Sequence, residues 1–310
     1  MTALHPTELA TALSHGLLTF PVTHFDDRLR FDEARYRDHL EWQTGFDLAG
    51  IFVAGGTGEG FSLSREETAK VVSVGVEQAA GRLPVIAPAT GATVVARAQA
   101  QDAQALGADG VLLLPPYLTE ATQEGLRAHV EAVLEATDLG VIVYNRANAV
   151  YSAETIEYLA DRHANLIGFK DGIGDIEAMA RLYGRLGDRL IYIGGLPTAE
   201  TYALPLLQLG FTTYSSAMCN FVPGFALEFY RAVRAADRTR VYAMLNEFVL
   251  PYLTIRDRAA GYGVSIVKAG LDAVGREGGP VRPPLQSLTE TDRQDLARLL
   301  ADSRLLAATA

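Results

Sequence analysis

Lys170 closes a short apolar run, Leu166-Ile167-Gly168-Phe169, and is followed by the turn-forming pair Asp171-Gly172. Four to six apolar residues bounded in this way suggest a buried strand. A lysine at the end of such a strand meets a low dielectric, which disfavours the ammonium and leaves an amine able to attack a carbonyl. Bringing a lysine from about 10.4 to about 7 costs roughly 4–5 kcal/mol, which the fold must offset. The competing reading is a lysine whose tip reaches water along its own aliphatic stem. Composition weakens it, because only Lys70, Lys170 and Lys268 are lysines among 27 basic residues. Arginine carries nearly all the surface charge and forms no Schiff base under ordinary conditions. Lys70 follows Glu66 by four residues, the spacing of a helical ion pair. Lys268 lies in a helix-like stretch, Val264 to Leu271, where an ordinary exposed or interface role is expected.

Other chemistry-bearing residues fall just after apolar runs. Gly55-Gly56-Thr57-Gly58-Glu59 can bring backbone N–H groups to an anion or simply make a tight turn. It lacks the spacing and lysine of a nucleotide P-loop. Tyr144 offers a proton carrier, although packing is the simpler reading of a lone tyrosine. Gly194-Gly195 suits an anion subsite without a distinctive helix start. His24 reads as a solvated loop histidine, and Trp42 and Cys219 as packing residues. Ser215 and Ser216 are adjacent, so a strand turns only one of them inward. No His, Cys and carboxylate cluster suggests a metal.

These residues need a scaffold that gathers strand ends. Eight apolar runs recur at intervals of roughly 20–35 residues in the manner of βα units: Leu17–Val22, Gly50–Ala54, Pro84–Pro88, Gly110–Leu114, Gly140–Tyr144, Leu166–Phe169, Leu190–Ile193 and Phe211–Tyr214. Most lack polar alternation, as strands covered on both faces should. Helix signals lie between them, including the capping box at Ser64 to Glu67 and long segments at Thr93–Leu106 and Thr122–Thr137. A (β/α)8 barrel follows, with a doubly wound sheet as the alternative. Residues 1–222 supply the barrel strands. Residues 223–310 supply its last helix and a helical extension, at Pro223–Ala236, Val241–Thr254, Tyr262–Gly275 and Thr289–Ala307, in one continuous unit. In such a barrel the groups named above share the C-terminal mouth.

With 49% hydrophobic residues the chain is globular, and a net charge of −10 argues against nucleic-acid or anionic-membrane partners. One cysteine excludes an internal disulfide framework and fits a reducing compartment. No signal peptide or long apolar span is visible, so a cytoplasmic protein is expected.

Together, Gly55–Glu59 after strand two, Tyr144-Asn145 after strand five and Gly168-Phe169-Lys170-Asp171 at strand six resemble the dihydrodipicolinate synthase/N-acetylneuraminate lyase superfamily. The resemblance covers nearly the whole chain. It implies the (β/α)8 barrel with extra helices, a homo-oligomer (tetramer or dimer), and an imine between lysine and a 2-oxo acid without a cofactor. It makes Lys170 the nucleophile and Tyr144 and Thr57 the proton relay. Gly55 and Gly56 would hold the adjoining carboxylate, and Arg146, Gly195, Ser215 and Ser216 the rest of the substrate.

Three departures narrow the branch, the first being that the arginine which follows the Tyr-Asn pair by a few residues in synthases is not matched here. Gly56 replaces the first of two hydroxyl residues that synthases use. Aligned through Gln123-Glu124-Gly125-Leu126, their loop tyrosine becomes Leu118, with Tyr117 just before it. Instead, Phe20-Pro21-Val22-Thr23, Tyr144 to Val150 and Ser265 to Gly270 resemble a branch acting on a six-carbon sugar diacid. That branch dehydrates and decarboxylates it to 2,5-dioxopentanoate. A pyruvate-dependent aldolase and a non-catalytic 2-oxo-acid-binding protein remain alternatives at this point.

Overall fold

The computed structural model describes residues 3–116 and 120–306. Its strands are β1 (Leu17–Thr19), β2 (Leu48–Phe52), β3 (Val85–Ala89), β4 (Gly110–Leu113), β5 (Gly140–Asn145), β6 (Leu166–Asp171), β7 (Ile191–Gly194) and β8 (Phe211–Ser216). Each pairs in parallel with its sequence neighbour and β8 closes on β1, giving a (β/α)8 barrel rather than an open sheet. Every expected apolar run holds one strand. The first departs most, ending at Thr19 where pairing was expected to reach Val22.

Helix α1 (Pro6–Ser14) precedes the barrel. Helices α2 (Glu33–Thr44), α3 (Arg65–Ala79), α4 (Thr93–Ala105), α5 (Gln123–Leu134), α6 (Ala153–Arg162), α7 (Ile176–Leu186) and α8 (Glu200–Leu207) follow β1 to β7 in turn. Helix α9 (Pro223–Arg234) follows β8, and the extension adds α10 (Arg238–Met244), α11 (Leu250–Arg256), α12 (Tyr262–Ala273) and α13 (Glu290–Asp302). Local sequence sets these starts. The Ser64 hydroxyl accepts from the Glu67 N–H at 3.2 Å while the Glu67 carboxylate accepts from the Ser64 N–H at 3.0 Å, a reciprocal cap. The single helix expected over Val241–Thr254 instead passes through a π turn at Leu245–Val249. Pro251 has no N–H to give the carbonyl four residues earlier, so the ladder widens there.

The barrel interior is filled by Leu18, Ile86, Leu112, Ile142 and Ile193, and α1 plugs its N-terminal mouth with Leu9 and Leu13. Two glycines make that plug fit. A Cβ on Gly50 would stand 2.5 Å from the Leu13 Cδ2, and one on Gly110 would stand 2.6 Å from the Leu9 Cδ2. With that end sealed, only the opposite mouth is left to open a site. A second apolar layer lies between the strands and the outer helices, and a third joins the extension to Leu17 and Leu48 of the barrel.

Candidate active site

Lys170 stands one residue from the end of β6, with its side chain aimed into the barrel mouth. A bulge sets this direction: Val141 pairs with Leu166, but Ile142 pairs with Gly168, so Ile167 is the extra residue. Strict alternation would put Ile167 and Lys170 on opposite faces. The bulge lets Ile167 fill the interior lower down while Lys170 also points inward. Its Cα partner across β5 is Tyr144. The amine lies 3.9 Å from the centre of the Tyr144 ring and 4.4 Å from that of Phe20. Gly195 leaves room for the stem, since a Cβ there would stand 2.7 Å from the Lys170 Cγ.

The Tyr144 hydroxyl donates to the Gly195 carbonyl at 2.7 Å and accepts from Arg146 Nη1 at 3.0 Å. Arg146 is held by a tight turn, its N–H and carbonyl bonding those of Ala149 at 3.1 and 2.9 Å. Burial lowers the Lys170 amine below the usual lysine range, opposed by Tyr144 and reinforced by Arg146. Burial alone would raise the Tyr144 phenol, but the charges of Lys170 and Arg146 and their hydrogen bonds outweigh it and lower it. Both groups therefore titrate below their ordinary ranges, the amine because it is buried and the phenol because positive charges stand beside it.

A cavity of about 510 Å³ opens above Lys170 and is lined by Gly56, Thr57, Tyr144, Arg146, Gly195 and Ser215 among others. The sequence-predicted group thus converges, with two exceptions. Ser216 turns to the other face, because β8 pairs Ser215 with inward Leu18 and Ser216 with outward Thr19. Its hydroxyl donates to Glu200 at 2.5 Å and it forms no part of the cavity wall. Gly55 lies buried behind the wall, its carbonyl accepting from the Gly60 N–H at 3.0 Å.

Three further expectations change. Lys268 is not exposed but buried, paired with buried Glu59 at 2.6 Å and donating to the Pro280 carbonyl at 2.6 Å. Helix α12 brings it beneath the glycine loop. Lys70 pairs with Glu33 at 2.8 Å rather than Glu66, because α2 and α3 lie side by side. His24 is buried against His39 and Tyr36, not solvated. Tyr117 and Leu118 lie outside the described residues. Phe20, Thr198, Tyr252 and Arg256 also line the cavity, and nothing in the local sequence marks them as lining residues. Phe20 lies within the Phe20-Pro21-Val22-Thr23 stretch, but the others stand in a loop and a distant helix with no local signature. Among the described residues no group of three His, Cys, Asp or Glu side chains is placed to hold a metal, and no helix is long and apolar enough to cross a membrane.

Residues 13–303 match the dihydrodipicolinate synthetase family. A probable 5-dehydro-4-deoxyglucarate dehydratase of Pseudarthrobacter chlorophenolicus is 63% identical, over 96% of this chain and 97% of that protein. One of the same description from Corynebacterium glutamicum is 59% identical over 98% and 96%. Among solved structures, dihydrodipicolinate synthase from Bacillus clausii superposes with a TM-score of 0.88 at 27% identity, covering 96% of this chain and 100% of that one. A dihydrodipicolinate synthetase described as putative, from Pseudomonas aeruginosa, gives 0.86 at 28% identity over 94% and 99%.

Proposed function

Since the chain belongs to the dihydrodipicolinate synthetase family, we propose that it is a decarboxylating hydro-lyase working through a lysine imine. It converts 5-dehydro-4-deoxy-D-glucarate to 2,5-dioxopentanoate, water and carbon dioxide. The observation that carries this reading is the buried Lys170 amine beside the Tyr144 ring, at the floor of a cavity that a small acid would fill. The likeness to relatives described as probable 5-dehydro-4-deoxyglucarate dehydratases supports the substrate.

In this reaction the neutral Lys170 amine adds to the ketone, and loss of water gives the imine, an electron sink. Gly56 and Thr57 hold the carboxylate next to that carbon. A proton leaves the carbon beside the imine, and the resulting enamine expels the hydroxyl one carbon further on as water. The conjugated imine then draws in the electron pair of the bond to the distal carboxylate, which leaves as carbon dioxide. Reprotonation and hydrolysis free the aldehyde product and the amine. Tyr144, between Arg146 and the Gly195 carbonyl, carries the protons, with Thr57 assisting. The enzyme works as a homo-oligomer, tetramer or dimer, in the cytoplasm; a monomer in sedimentation equilibrium would refute the assembly.

The deciding experiment is turnover of the synthetic diacid with products identified. One equivalent of carbon dioxide with 2,5-dioxopentanoate and no pyruvate is expected. Pyruvate without carbon dioxide would make the protein an aldolase, and a borohydride-trapped adduct on Lys170 without either product would make it a binding protein. Lys170→Met, which removes the amine without burying a charge, should abolish both adduct and turnover.

A further inference from the structure

Among the described residues no aspartate or glutamate lines the cavity, whereas Lys170, Arg146 and Arg256 all do. Arg146 and Arg256, charged at any ordinary pH, both face this space. A 2-oxo monoacid places one carboxylate there and a 2-oxo diacid places two. Arg146 is already engaged at the imine end, where its Nη1 donates to the Tyr144 hydroxyl.

Arg256 is the last residue of α11 in the C-terminal extension, one turn beyond Tyr252, which lines the same cavity. Its Nε donates to Asp257 at 2.8 Å and its Nη1 to the Thr198 hydroxyl at 2.6 Å. Its Nη2 donates to no group among the described residues, and the side chain is 18% exposed. Thr198 is itself unusual. It is buried, and its φ of 57° lies in the left-handed region, where a β-branched residue is an outlier. Such a conformation is strained and persists only where the surroundings impose it. Here it presents the hydroxyl to the guanidinium, fixing the plane of the fork while leaving the Nη2 edge for a ligand. A planar guanidinium held by two hydrogen bonds presents Nη2 for a charge-assisted bond to a carboxylate oxygen.

Building on the imine at Lys170, we propose that Arg256, oriented by Thr198, binds the distal carboxylate and selects 2-oxo diacids over monoacids. Because Arg256 grips the group that departs as carbon dioxide, it also fixes the plane of the breaking bond relative to the imine.

The test uses two probes that form an imine but carry no hydroxyl to expel: 2-oxoadipate, a six-carbon diacid, and 2-oxohexanoate, its monoacid counterpart. The concentration giving half-maximal borohydride trapping on Lys170 is measured by peptide mass. The unmodified protein should favour 2-oxoadipate by about 10- to 100-fold, the range of a charge-assisted hydrogen-bonded contact. Arg256→Gln should erase that preference by weakening 2-oxoadipate while leaving 2-oxohexanoate unchanged. Arg256→Lys should restore part of it, a rescue that keeps the result readable if the glutamine variant folds poorly. Preference retained in Arg256→Gln, or absent from the unmodified protein, overturns the role of Arg256 alone. No adduct on Lys170 with either probe overturns the imine reading and this role with it.

Discussion

At the scale of single residues, burial and the mutual interaction of Lys170 and Tyr144 dominate their protonation, and Arg146 adds to it. Its charge lowers both groups. Replacing it in Arg146→Gln must therefore move both upward, so a larger share of the amine is protonated at a given pH. The rising limb of kcat/KM, which needs neutral amine, should lie below the usual lysine value near 10.4 in the parent and shift to higher pH in the variant. The apparent value belongs to the coupled pair rather than to either group. A limb that stays in place would show that Arg146 does not act on the amine. Tyr144→Phe keeps the ring under the amine but removes the proton carrier, and turnover should fall by about 10²–10⁴-fold. It also leaves the Gly195 carbonyl and Arg146 Nη1 without their shared partner, a stability loss of about 1 kcal/mol in urea unfolding.

At the scale of elements, the glycine loop after β2 depends on α12 and the segment beyond it. Glu59 takes a left-handed backbone with φ of 53°, sends its carboxylate into the interior and meets Lys268 there. Its other oxygen accepts from the Arg282 N–H at 2.9 Å. Both side chains are nearly unexposed, at 2% for Lys268 and 0% for Glu59. Lys268→Met would leave a buried carboxylate uncompensated and should destabilise the protein by about 3–5 kcal/mol. Replacing both ions, in Glu59→Gln with Lys268→Met, should recover much of that loss, since the remaining cost of an unpaired buried charge is gone. Chemical unfolding of the two variants reads this directly; equal losses would mean the pair acts through packing alone.

At the scale of the whole molecule, barrel and extension share one apolar layer. Leu17, Leu48 and Phe221 pack with Phe229, Phe248 and Ile266 beyond Val222. The extension also supplies Tyr252 and Arg256 to the cavity wall and Lys268 to the glycine loop. A chain stopped after Val222 would expose that layer to water, at about 25 cal/mol per Å² of apolar surface left uncovered. We expect it to lack a near-UV dichroism signal, to aggregate, and to show no borohydride adduct on Lys170. A soluble fragment with native near-UV bands would instead make residues 1–222 an independent domain.

The sequence by itself determined the eight strands, their parallel order and the convergence of Lys170, Tyr144, Thr57 and Arg146. These follow from local patterns: apolar runs, helix caps and residues placed just after strand ends. What it left open needed three dimensions. Whether Ser215 or Ser216 enters the cavity depends on register with β1, a pairing about 200 residues away in the chain. The inward aim of Lys170 depends on a bulge at Ile167 that no residue type announces. The burial of Lys268 and the arrival of Arg256 at the cavity depend on how the extension packs. Local propensity carries no information about contacts closed by distant segments, so these residues stayed ordinary helix positions until the chain was folded.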